Sequence, residues 1–327
     1  MKIGLLDCDS HNFPNLALMK ISAYHKKQGD EVSMVCADSF DFYDKIYCVK
    51  VFGDEYSKMD ISKFLLERMA KEVEYGGTGF AISIQNGKEV YNKELDKPLP
   101  YEIEHCYPDY SLYPELTKDT AYGFLTRGCC NDCNFCIVSK KEGRCSVKVA
   151  NLDEWWNGQK YIKLLDTNIL ACKERVELLK QLRDSKAKVD FTQGLDARFV
   201  SEEVAYLLKE IKKDTVHFAF DFIKNEKAII KGLKIYANIC GLSNDIGGRQ
   251  VYMLTNFDTT HEEDMYRVRM IQECGFAPYV MVYRKATAPS ITKDLQRWCN
   301  NRFLYKSTSW EDYKPRKDGK TIKQLYY

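Results

Sequence analysis

No stretch of this 327-residue chain approaches the eighteen or so consecutive apolar residues that a membrane helix needs, so the sequence gives no candidate span. The N-terminal MKIGLLDCDSHNFP carries one lysine and an apolar run too short for a signal peptide, and the expected location is cytoplasmic. Charge of one sign is also missing: the formal net charge is +2, so no whole-molecule attraction to polyanions is expected and only local concentrations of charge matter. A disulfide framework is absent too. The thirteen cysteines are odd in number and stand mostly alone in apolar contexts such as KIYCVKV and IQECGF, the pattern of buried thiols in a reducing compartment. What is present is apolar bulk. At 45% hydrophobic and 13% aromatic residues, the chain can bury a core for one large domain and a smaller one.

The first 90 residues read as a small Rossmann-like α/β domain. KIGLLDC is a compact strand, residues 15–27 have helical periodicity ended by Gly29, and EVSMVCA resumes a strand. KIYCVKVF, an amphipathic stretch over 61–73, YGGTG and FAISI repeat the theme. Residues 91–117 mix prolines, tyrosines and charges without a period and read as a linker.

From 118 to 284 the pattern is regular. Six β-prone runs begin near residues 121, 161, 189, 216, 250 and 278, separated by helical stretches, one of which carries capping-box spacing at Thr260 and Glu263. Alternating strands and helices predict a parallel sheet. Six repeats suit a partial (β/α)6 TIM-like barrel better than an eightfold one, which averages about 250 residues. The tail, 285–327, carries ten Lys or Arg against four Asp or Glu, a local charge of +6. Such a basic extension is either a solvated face or an edge for a nucleic acid or an acidic partner.

The chemistry concentrates in TRGCCNDCNFCIV, residues 126–138, directly after the first of the six strands, where parallel α/β folds place their sites. Clustered thiolates select iron–sulfur clusters or zinc. Cys129, Cys133 and Cys136 read as C-x3-C-x2-C, three ligands that would leave one iron of a [4Fe-4S] cluster open. Cys130, Cys133 and Cys136 instead begin a ferredoxin-type run, but its fourth cysteine is missing: position 140 is lysine, and Cys145 comes later with no proline after it. Zinc would take four of these thiolates or recruit His105 or Cys145, and the chain lacks a second C-x2-C pair. A non-enzymatic iron–sulfur electron carrier or zinc protein is therefore the alternative from another class.

A strand ending in RGC, then C-x3-C-x2-C with an aromatic before the last cysteine, then five further β/α units, resembles the radical SAM enzymes over about residues 118–284. The resemblance implies that Cys129, Cys133 and Cys136 hold a [4Fe-4S] cluster and that S-adenosylmethionine chelates the open iron. Reductive cleavage then gives a 5′-deoxyadenosyl radical that abstracts hydrogen from a substrate. It implies oxygen sensitivity and a one-electron donor such as flavodoxin or ferredoxin, with cofactors doing the hard chemistry. Phe135 matches the aromatic that sits against adenine. The family's glycine-glycine-glutamate motif is absent. LLDTN stands in its place, so Asp166 and Asn168 are its substitutes by position. Gln193, Asp196 and Arg198 follow the third strand, and arginine suits the methionine carboxylate. Asp221 is expected at the ribose and Asn256 at the adenine edge.

The N-terminal domain resembles the cobalamin-binding domain that precedes many radical SAM cores. DSHNFP, Asp9 to Pro14, partly matches the Asp-x-His-x-x-Gly signature with proline in the glycine position, and no Ser-x-Leu partner precedes Gly76–Gly79. Cobalamin binding is one implication. A degenerate α/β domain with substrate or dimer contacts, with His11 as a loop residue near the mouth, is the other. The expected reaction is therefore either hydrogen abstraction, in the manner of an oxidoreductase, or cobalamin-dependent methyl transfer.

Overall fold

The computed structural model describes residues 1–9, 12–36, 41–54, 57, 61–85, 88–213, 215–316 and 318–327, with Lys88 described by its backbone alone. His11 and Ser10, within the cobalamin-like signature, lie outside the described residues. Two compact units divide the chain. The first comprises residues 1–123, 136–144 and 150–162, the second 124–135, 145–149 and 163–327.

In the first unit, β1 (Lys2–Asp7), β2 (Glu31–Met34), β3 (Tyr43–Val49) and β4 (Ala70–Gly76) form a parallel sheet in the order β2-β1-β3-β4. Parallel sheets are stable when both faces are covered, and the alternation along β1 supplies both. Ile3 and Leu5 pack with Leu18 and Ile21 of the helix Leu16–Lys27, while Leu6 joins Ile46, Cys48, Leu66 and Met69 on the opposite face. Gly4 sits where a Cβ would come within 2.7 Å of Val35 Cγ2 and 2.9 Å of Ile46 Cγ1, so a side chain there would force the second core apart. The helix Leu16–Lys27 begins at Asn15, whose side chain accepts from Leu18 N, and the chain turns at Gly29 with φ +82°. The amphipathic stretch expected over 61–73 divides: the helix Lys63–Met69 stops where β4 begins at Ala70, and Val73 pairs with Ile46. Tertiary pairing overrides the local helical period there.

The order β2-β1-β3-β4 reverses direction between β1 and β3, and in open parallel sheets ligands bind outside the carboxyl ends at such a switch point. Asp9, just beyond β1, accepts from Val51 N, Phe52 N and Ser57 Oγ, tying the loops after β1 and β3 together. A hairpin of β5 (Ile82–Gln85) and β6 (Lys88–Tyr91) follows, and short helical turns run through the segment expected as a linker.

Strands form in all six expected places: β7 (Thr120–Gly123), then, after the short pair β8 (Thr126–Arg127) and β9 (Val147–Lys148), β10 (Tyr161–Leu164), β11 (Lys188–Phe191), β12 (Phe218–Ala219), β13 (Gln250–Thr255) and β14 (Ala277–Val282). The sheet orders are β11-β10-β7 and β12-β13-β14, the latter parallel throughout, with parallel bridges Val189↔Lys213 and Leu195↔Phe218. The protein is thus a mixed α/β fold with parallel sheets. In the second unit Val189, Phe191, Phe218, Phe220, Val251, Met253 and Val280 of the strand segments are buried, as are Leu178, Leu182, Leu208 and Leu233 of the intervening helices. Each such side chain contributes roughly 1.5–3 kcal/mol. The capping box at Thr260 and Glu263 forms as the spacing predicts. The basic tail folds against this unit through the helix Ser290–Asn300, which buries Leu295, Trp298 and Cys299, and through buried Trp310, Tyr313 and Ile322.

Candidate functional site

The cysteine-rich segment leaves the fold at β8 and returns at β9, which pairs antiparallel with it through Thr126↔Lys148 and Arg127↔Val147. Gly128, at φ +88°, makes the turn into the segment. Asp166, at the end of the β10 run and 5% exposed, secures the entrance. Its carboxylate accepts from Leu125 N at 2.8 Å, Thr126 N at 2.7 Å and Thr126 Oγ1 at 2.5 Å. Burial dominates these donors and pushes its pKa up to about 7. Thr167 Oγ1 donates to the Gly128 carbonyl at 2.9 Å, a second tether from the same strand end.

Beyond Gly128, Cys129 is gathered into a polar network. Its sulfur accepts from Asn131 N at 3.4 Å and from Asn168 Nδ2 at 3.5 Å. Asn168 also donates to Asp196 Oδ2 at 3.1 Å, and its Oδ1 accepts from Ala171 N at 3.3 Å, opening the following helical turn. Arg198 grips Asp196 through two nitrogens, Nε to Oδ1 at 2.9 Å and Nη2 to Oδ2 at 2.6 Å, and also donates to Asn131 Oδ1. Burial opposes ionisation of Asp196, but the bonds and charge of Arg198, with help from Asn168, hold its carboxyl below the usual range. The Arg198 charge expected for a ligand carboxylate is therefore already engaged by Asp196. Gln193 is exposed at the same strand end.

Phe135 belongs to a second cluster, of rings. It lies 6.1 Å from Phe222 at an interplanar angle of 19° and 5.3 Å from Phe257 at 81°; Phe257 in turn meets Tyr283 edge-on at 4.9 Å. These three rings follow β12, β13 and β14; the first two meet Phe135 and the third backs Phe257. Asp221 and Asn256 precede two of them. Asp221 Oδ1 accepts from Leu254 N at 2.8 Å, with burial raising its pKa against that bond, and Asn256 Nδ2 donates to the Tyr283 carbonyl at 2.7 Å. Both brace the neighbouring strand. Beneath them the fully buried Arg267 donates to the carbonyls of Phe220 at 2.9 Å, Asp221 at 3.1 Å and Leu254 at 2.9 Å, and to Asp264 Oδ1 at 2.5 Å.

The structure thus brings Cys129, Asn168 and Arg198 into one network and Phe135 into another, with Asp221 and Asn256 beside the second. Asn131, Phe222, Phe257, Tyr283 and Arg267 were not anticipated. A signal existed for two of them: in FDF and TNF, a polar residue at a strand end is followed at once by phenylalanine. Cys133 and Cys136 are half-buried, Cys130 and Cys145 exposed, and none of the thirteen cysteines is in a disulfide. Among the described residues no three His, Cys, Asp or Glu side chains are gathered as ligands of a single ion.

No protein-family model matches the chain, and no curated protein matches it. A solved structure does. The radical S-adenosylmethionine methyltransferase TsrM from Kitasatospora setae, with cobalamin and a [4Fe-4S] cluster bound, superposes with a TM-score of 0.62 at 11% identity, covering 86% of this chain and 72% of that one. The chain shares the fold of a radical SAM methyltransferase solved with cobalamin bound, which bears out, for the fold, the resemblance read from the cysteine motif. No helix among the described residues is long and apolar enough to cross a membrane.

Proposed function

We propose that the protein is a radical SAM enzyme in which Cys129, Cys133 and Cys136 hold a [4Fe-4S] cluster. One observation carries this reading: the C-x3-C-x2-C segment is tethered to strand ends of a fold shared with a cluster-binding radical SAM methyltransferase. The donor set fits the group. None of the three thiols is in a disulfide, and the sulfur of Cys129 accepts N–H bonds from Asn131 and Asn168. When bound, the cluster supplies one-electron cleavage of S-adenosylmethionine to the 5′-deoxyadenosyl radical.

The chain's own residues do the rest. Asp166 and Thr167 fix the entrance of the cysteine segment, and the Asp196–Arg198 pair orients Asn131 and Asn168 toward Cys129. Phe135 and its neighbours present apolar surface suited to a purine. Among the polar groups at the strand ends, Arg198, while held by Asp196, is the candidate for the ligand's carboxylate, Asp221 for the ribose and Asn256 for the adenine edge, with exposed Gln193 beside them. The two three-stranded sheets, with the Leu195↔Phe218 bridge, support a six-stranded partial barrel for this core. The electron would come from a one-electron donor such as flavodoxin or ferredoxin. Two cations of the basic tail, Arg302 and Arg316, pair with Asp245 and Asp294, so a nucleic-acid role for the tail rests on charge alone.

A cobalamin-dependent methyl transfer is the second reading, favoured by the β2-β1-β3-β4 parallel sheet and its switch point beside Asp9. Corrinoid absorbance retained after reconstitution with hydroxocobalamin and desalting supports it; none retained removes it. The primary reading is tested by anaerobic reconstitution, reduction with dithionite and addition of S-adenosylmethionine. Formation of 5′-deoxyadenosine and methionine is expected, and their absence from cluster-loaded protein refutes it.

A further inference from the structure

Five non-glycine residues among those described have left-handed backbone φ, and three of them stand at the ends of two adjacent strands: Asn256 at +61°, Asp258 at +50° and Arg284 at +47°. L-residues adopt this region rarely, and such conformations persist where surrounding structure holds them for a purpose. Here two of them bracket a single ring. Phe257 lies between Asn256 and Asp258, and the Asn256 side chain locks the turn by donating to the Tyr283 carbonyl at 2.7 Å. The ring so directed meets Phe135 edge-on at 5.3 Å and is backed by Tyr283 at 4.9 Å, while Phe222 lies against Phe135 at 6.1 Å. Phe135 stands between Cys133 and Cys136. Asn256 and Asp258, one on each side of Phe257, both leave the right-handed region, and the turn they make aims Phe257 at Phe135.

We propose that Phe257 is a positioning residue: it clamps Phe135 and so holds the cysteine segment ordered before any cluster arrives. The proposal rests on the radical SAM reading for its purpose, but the clamp itself is a property of the metal-free chain and is measured there. Metal-free protein is pulsed with iodoacetamide under native conditions and the labelling rate of Cys133 is read by mass spectrometry, with exposed Cys36 as internal reference. Removing one edge-on aromatic contact is expected to raise segment opening about two- to tenfold. Phe257→Ala should raise the Cys133 rate by that factor and lower the iron retained after reconstitution and desalting. Phe257→Tyr, which restores the ring, should stay close to the wild-type rate.

Phe257→Leu keeps apolar volume without a ring edge and should fall between the two; it serves if the alanine variant does not fold. Unchanged Cys133 labelling in a folded Phe257→Ala or Phe257→Leu variant overturns the clamp, as does a Phe257→Tyr variant as open as the alanine one. Failure of the radical SAM reading looks different: wild-type protein would then take up no cluster, whatever the labelling rates.

Discussion

Replacing Asp166 by asparagine should change both how stable the second unit is and how that stability depends on pH. The wild-type carboxylate accepts three hydrogen bonds from Leu125 and Thr126 in a site 5% exposed. Near pH 5 the carboxyl is protonated, but its hydroxyl oxygen still accepts through a lone pair, whereas an amide nitrogen accepts nothing; Asp166→Asn therefore leaves at least one buried donor unsatisfied and should cost about 1–3 kcal/mol there. Burial raises the folded-state pKa to about 7 from the ordinary 3.8. Between these values the folded protein keeps a proton that the unfolded chain has lost. The Asp166 contribution is therefore complete below about pH 4 and is lost as pH rises through about 7, by up to about 4 kcal/mol at 1.36 kcal/mol per unit. Asparagine does not titrate. Urea denaturation of both proteins from pH 5 to pH 8 should show wild-type stability falling toward that of the variant, the gap narrowing by a few kcal/mol. Parallel stability–pH curves would refute the assignment, because they would mean that the buried carboxyl keeps the same charge throughout.

Cys129→Ala should abolish cluster assembly, whereas Cys130→Ala should retain about the wild-type iron content, because Cys130 is exposed and belongs to the incomplete register; iron and sulfide counts giving the reverse would overturn the ligand assignment. Arg267→Met should destabilise the protein by about 3–5 kcal/mol, since it strips three strand-end carbonyls and the buried Asp264 of their donor. Adding Asp264→Leu to Arg267→Met should recover part of that loss in denaturation, and a double variant less stable than the single one would contradict the pairing.

The strands were legible because β-branched and aromatic runs recur between helical periods, and all six expected after residue 118 form. The amphipathic stretch over 61–73 divides into helix and strand because β4 takes its last residues to pair with β3, a long-range choice that local periodicity does not register. At the site, the placement of the cysteine segment directly after a strand could be read from the sequence. The partners of Asp166 and Arg198 could not, because both depend on which backbone groups and side chains the strand ends bring near. Arg198 reads as a free cation in TQGLDAR, but two residues earlier stands the carboxylate that captures it at 2.6 Å. Phe222, Phe257 and Tyr283 are separated from Phe135 by 87, 122 and 148 positions respectively, beyond the reach of any local pattern. Arg267 is the strongest case: an arginine on an otherwise amphipathic helix reads as surface charge, and only the converging carbonyls of Phe220, Asp221 and Leu254 make its burial tolerable.

The central claim is that three cysteines hold a [4Fe-4S] cluster with one iron open to S-adenosylmethionine. Electron paramagnetic resonance of the anaerobically reconstituted, dithionite-reduced protein, recorded with and without S-adenosylmethionine, tests it most directly. The account predicts a reduced [4Fe-4S] signal that shifts when S-adenosylmethionine is added and that is absent from Cys129→Ala. A signal unchanged by S-adenosylmethionine, or one that survives Cys129→Ala, would contradict it.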